Sequence, residues 1–252
     1  MARKRAAGFQ CRVGEDMKPE NWRDLIPEEV KEIYRGARFG GRLGFGAWPA
    51  LIVVDMQVAQ IGDRPEPVLE SVRKYPLSAG EAGWFALEKI KELIKEARKA
   101  RIPIFYTLIE YEPFDRGLWK TKMPPPAKAG EAPLEAKAIV KDIAPEEGDV
   151  IIRKKRSSAF FGTPLLSYLH QMNVDTLLIT GCTTGSCVRA TVLDASQNNF
   201  YPVVVEECVF DRSRMMHAFN LFEMDTKWAD VVPLDGVKTY LQGLKLRNQP
   251  AS

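Results

Sequence analysis

Ala50-Leu51-Ile52-Val53-Val54-Asp55 is an apolar run with no polar alternation, closed by an acid. A strand that reads this way is buried on both faces, because a half-exposed strand would alternate. Such a strand needs cover on two sides, and the segments after it supply the means. Leu87, Ile90, Leu93, Ile94 and Ala97 recur at helical spacing within Glu81–Ala100, and Ile102–Leu108 reads as the next strand. Further strands are expected at Asp149–Arg153, Thr176–Thr180, Val203–Val205 and Asp230–Pro233, with helices at Gly162–Met172, Cys187–Asn198 and Met216–Trp228. Strands alternating with helices predict βαβ units: an α/β fold of three layers, α-β-α, around a mostly parallel central sheet.

The expected domain spans residues 48–245. It follows an arm, residues 1–47, with one short helix at Pro27–Arg35, and precedes a tail, 246–252. The arm reads as material laid over the domain or over a neighbouring subunit. Residues 112–133 are rich in proline and read as a long surface loop or lid. The chain carries 36 basic against 33 acidic residues, a net +3 that is too small and too scattered to argue for nucleic acid. No apolar run is long enough to span a membrane. The basic start has no apolar core, so no secretory signal is expected there. Four cysteines in a chain this long, without an export signal, predict reduced thiols and a cytoplasmic location.

In open parallel sheets ligands sit beyond the carboxyl ends of the strands. Asp55 ends the first strand, Lys154 and Lys155 follow the third, Cys187 lies past the fourth, and Asp211-Arg212 follow the fifth. Cys187 also opens a helix, where the dipole and unpaired N–H groups favour a thiolate. An acid that can take the thiol proton, an ammonium that can stabilise the anion and a thiol nucleophile thus meet on one sheet edge. Each has a plainer reading. Cys187 could be a buried structural cysteine, Asp55 a turn cap, Lys154 one of several solvated basics in the RKKR run, and Arg212 an ion-pair partner of Asp211 or Glu207. Together they fit these readings less well than singly. A Cys182–Cys187 redox pair lacks CxxC spacing, and His170 and His217 stand in no ligand spacing, so no metal and no other cofactor is expected. A binding or scaffold protein that keeps the fold is the non-enzymatic alternative.

The strings PALIVVDMQ, IIRKKRSSAFFGTPL, DTLLITGCTTGSCVRATVLDA and ECVFDRS resemble the isochorismatase-like cysteine hydrolases, on the side of the N-carbamoylsarcosine and maleamate amidases. The resemblance runs from about Gly44 to Leu241. It implies a catalytic triad of Asp55, Lys154 and Cys187, with Lys154 chosen because the family's lysine stands two places before the arginine that is Arg156 here. It also implies a cis peptide between Cys182 and Thr183, an oxyanion hole from the N–H groups of Thr183 and Cys187, and Arg212 as the residue that binds a substrate carboxylate. The chain departs from close relatives at Gly185-Ser186, where the small residues stand in the other order. The implied activity is cofactor-free hydrolysis of a C–N bond in a small linear amide or urea bearing a carboxylate. N-carbamoylsarcosine is the leading candidate, giving sarcosine, carbon dioxide and ammonia; maleamate or a nicotinamide-like amide is the alternative. The family also implies a homo-oligomer, a dimer or a tetramer.

Overall fold

The computed structural model describes residues 21–111, 115, 117–122 and 134–247. Cys11, most of the loop expected at 112–133 and the end of the tail lie outside the described residues, as does the first part of the arm. The six strands are β1 (Pro49–Val54), β2 (Ile104–Ile109), β3 (Val150–Lys154), β4 (Thr176–Cys182), β5 (Tyr201–Phe210) and β6 (Asp230–Val232). They form one sheet in the order β3-β2-β1-β4-β5-β6, with every pairing parallel. The helices are α1 (Glu28–Gly36), α2 (Val58–Ile61), α3 (Val68–Lys74), α4 (Glu81–Ala100), α5 (Trp119–Lys122), α6 (Leu165–Gln171), α7 (Arg189–Gln197), α8 (Arg214–Lys227) and α9 (Leu234–Arg247).

The continuous apolar run of β1 has a direct structural reason. Successive side chains point to opposite faces. Ala50, Ile52 and Val54 enter one core with residues of α6, α7 and α8, and Leu51 and Val53 enter the other with residues of α4 and α9. Every residue of β1 is buried as a result. None of the described helices is long and apolar enough to cross a membrane.

Three expectations change. The fifth strand is much longer than Val203–Val205, because Glu206 and Glu207 interrupt its apolar run without ending it. β6 pairs only as far as Val205, and beyond it Glu206 takes an ion pair from Arg23 while Glu207 accepts the Leu234 N–H. The stretch between β1 and α4, for which the sequence reading expected no element, contains α2 and α3, too short to show a period. The chain also ends in a further helix, α9, whose Val237, Leu241 and Leu244 complete the second core. The described part of the arm lies on its own domain: Trp22 and Ile26 are core residues, the Gly40 N–H donates to the Thr226 carbonyl, and the Asp230 carboxylate accepts from Leu43 and Gly44.

Candidate active site

The strand order reverses direction between β1 and β4, so a crevice opens at their carboxyl ends. β1 delivers Asp55 there. Its φ of +50° is a left-handed conformation that aspartate tolerates better than most residues, and it turns the carboxylate out of the strand path. Thr107 of β2 fixes that turn from both sides. Its carbonyl accepts the Asp55 N–H at 3.1 Å, and its hydroxyl donates to Asp55 Oδ1 at 2.6 Å.

The other carboxylate oxygen, Oδ2, faces Lys154 Nζ at 2.8 Å, and both side chains are fully buried. Lys154 Nζ also donates to the carbonyls of Arg156 at 3.0 Å and Ser157 at 2.9 Å. A buried ammonium is tolerated only when its charge and its donors are met in this way. Burial alone would lower the Lys154 pKa, but Asp55 and the Cys187 sulfur hold it above its ordinary value. Lys155, its neighbour, points the other way and pairs with Asp115 at 2.8 Å. The segment after β3 is tied to the helix after β4: Ser158 donates to Asp194, and the Ala159 N–H donates to the Thr191 hydroxyl.

β4 brings the thiol. Gly181 has φ +92°, and a Cβ there would stand 2.0 Å from the Val54 carbonyl oxygen, so only glycine lets β4 run this close to the end of β1. The Cys182–Thr183 peptide is cis. The Thr183 carbonyl accepts the N–H groups of Ser186 and Val188, and the chain winds through a π-type turn, Thr184–Val188, before α7 starts at Arg189. Cys187 therefore sits within that turn, where the sequence reading placed it as the first residue of an α-helix. It is also buried, and burial followed by the Asp55 charge pushes its thiol up to about 12, against the pull of Lys154. Burial thus works against the thiolate that the sequence reading expected, and the Cys187 thiol stands in contact with the Asp55 carboxylate and the Lys154 ammonium.

Asp55, Lys154 and Cys187 converge as the sequence suggested, and Thr183 lies beside them at the start of the turn. Arg212 is exposed just past β5. Its guanidinium donates to the Leu77 carbonyl, and its charge reaches the Cys182 thiol. One residue escaped the sequence reading. Tyr111 follows β2 and is half-buried. Burial raises its phenol pKa, Lys154 opposes that rise, and Cys187 and Asp55 add to it, which places its hydroxyl within electrostatic reach of all three. The signal was its place just beyond a strand end, missed because β2 runs on to Ile109.

The fold and site define a class of protein, a doubly wound parallel α/β sheet with an acid, a lysine and a cysteine brought together at the ends of β1, β3 and β4. Residues 49–235 match the isochorismatase domain, and the chain belongs to the isochorismatase family. It is 36% identical over 210 residues to a maleamate amidohydrolase of Pseudomonas putida, covering 81% of this chain and 92% of that protein. It is 34% identical over 228 residues to an N-carbamoylsarcosine amidase of an Arthrobacter species, covering 86% and 80%. Among solved structures, a cysteine hydrolase from Pseudomonas syringae superposes with a TM-score of 0.70 at 19% identity, over 82% of this chain and 98% of that one. That likeness carries the fold alone.

Proposed function

We propose that the chain is a cysteine-dependent amidohydrolase of small linear amides or ureas that carry a carboxylate. The observation that carries the proposal is the buried contact of Cys187 with both Asp55 and Lys154. Asp55 takes the Cys187 proton as the sulfur attacks the amide carbon, so the thiolate exists only as the new bond forms. The N–H groups of Thr183 and Cys187 hold the tetrahedral oxyanion. Asp55 returns its proton to the departing ammonia. It then deprotonates a water that cleaves the thioester, and the thiol is restored. With N-carbamoylsarcosine the released carbamate loses carbon dioxide, and sarcosine, carbon dioxide and ammonia result. With maleamate the products are maleate and ammonia. Lys154 stays protonated throughout and stabilises both anionic partners.

Arg212 is the proposed carboxylate anchor, since a guanidinium can hold a carboxylate through two parallel bonds. The relatives named for maleamate and for N-carbamoylsarcosine support both substrates. Ammonia release from the purified protein should appear with one of these two and not with nicotinamide; release from nicotinamide alone would overturn the acidic-substrate reading. Arg212→Lys should then lower kcat/KM for the acidic substrate at least about tenfold, one charge-assisted contact in magnitude, and affect a neutral amide of similar size much less. Equal losses on both would make Arg212 structural.

A further inference from the structure

The turn that carries Cys187 is held from behind by residues that the hydrolytic reading does not use. The Thr184 side chain is fully buried, and its Oγ1 shares a hydrogen bond of 2.8 Å with Nδ1 of His217 on α8. The next residue, Gly185, donates its N–H at 2.8 Å to Oδ2 of Asp211, just past β5. Asp211 is itself oriented by the Arg212 N–H on Oδ1 at 2.8 Å. α8 presses so close that a Cβ on Gly185 would stand 2.7 Å from Asn220 Nδ2 and 3.2 Å from Asp211 Oδ2. This close approach leaves no room for a side chain at 185, the first of the two small residues whose order departs from close relatives. Two consecutive residues of the turn, three and two places before Cys187, are thus pinned to two different elements.

We infer that His217 and Asp211 are positioning residues for the nucleophile: through Thr184 and Gly185 they fix where the Cys187 sulfur and its neighbouring N–H groups stand. The physical need is plain. A π-type turn is rare and occurs mostly as a single turn, and a reacting atom displaced by an ångström loses much of its rate. The histidine suits the task because burial keeps its ring neutral, with the pKa lowered to about 4 despite Asp211. The inference rests on Cys187 being the nucleophile.

The test is a double-mutant cycle of Thr184→Val and His217→Leu in the full chain. His217 borders a cavity of about 570 Å³ that can absorb a change of side-chain shape, and valine is the isostere of threonine. Two rates are read: turnover of the substrate found above, and carbamidomethylation of Cys187 by iodoacetamide, followed at that residue by peptide mass spectrometry. Each single variant should lower kcat and the alkylation rate about tenfold, with KM within about twofold, and the double variant should be no slower than the slower single one. His217→Asn keeps a hydrogen-bonding group toward Thr184 and should recover most of both rates lost in His217→Leu; Asp211→Ala, which removes the acceptor of the Gly185 N–H, should lower both. Losses that multiply in the double variant would overturn the inference, as would variants that melt earlier yet keep parent values of both rates. If Cys187→Ser retained hydrolysis, the proposed function would fail, while the alkylation rates would still decide whether the brace acts on Cys187.

Discussion

At the scale of single residues, the proposed chemistry passes one proton between Cys187 and Asp55 beside the buried ammonium of Lys154. Cys187→Ser should lower ammonia release at least about a thousandfold while the fold persists, because a hydroxyl gives up its proton to Asp55 far less readily than a thiol. Activity above about a tenth of the parent would remove Cys187 as nucleophile. Lys154→Ala and Lys155→Ala make a sharper comparison, since the two differ only in which way they point. Removing Lys154 strands a buried carboxylate, which costs about 3–5 kcal/mol in other proteins and should also abolish turnover. Lys155 forms a partly exposed pair, worth about 0–1 kcal/mol, and its loss should leave activity within a few-fold. Assay and urea unfolding of both variants decide it, and equal effects would contradict the register. The three residue types and their strand-end positions were legible in the sequence. The choice between two adjacent lysines came from the family resemblance and its spacing to Arg156, because the residues alone do not say which face of β3 meets the site.

At the scale of elements, the site exists because β1 and β4 end side by side. Gly181 is where they touch. Gly181→Ala would put a methyl group against the Val54 carbonyl at a positive φ, so it should destabilise the protein by about 3 kcal/mol or more and impair activity through Asp55. Urea unfolding measures it, and a loss under about 1 kcal/mol would mean that the two strands part without penalty. The turn after β4 shows how far sequence reading reaches. The glycine, the small polar residues and the apolar periodicity of α7 marked a strand, a turn and a helix. They did not disclose that one turn of π-type winding comes first. That outcome depends on the Thr183 carbonyl within the turn, and on Asp211 and α8 packing behind it, the last two being contacts distant in sequence.

For the whole molecule, the partly buried His217 links folding to pH. Its pKa of about 4 lies below the ordinary 6.5, so between these values the unfolded chain binds a proton that the folded chain refuses. Stability should therefore fall as pH drops through that window, by up to about 3 kcal/mol from this residue. Carboxylates held low by cations, such as Glu92 at about 2, act in the more acidic window below 4.5. His217→Asn should flatten the decline between pH 6.5 and 4.5 in urea unfolding; identical slopes for variant and parent would refute it. The order of apolar runs and helical periods determined by itself that this chain forms a parallel α/β sheet, because runs without alternation must be covered on both sides. It also determined which chemical groups stand at the strand ends. Only the tertiary structure decided their state. Burial pushed the Cys187 thiol up, Asp55 held the Lys154 ammonium up, Arg212 went to the surface, and His217 met Thr184. Charge state depends on how much water a group loses and which charges it meets, and those are set by residues scattered along the chain.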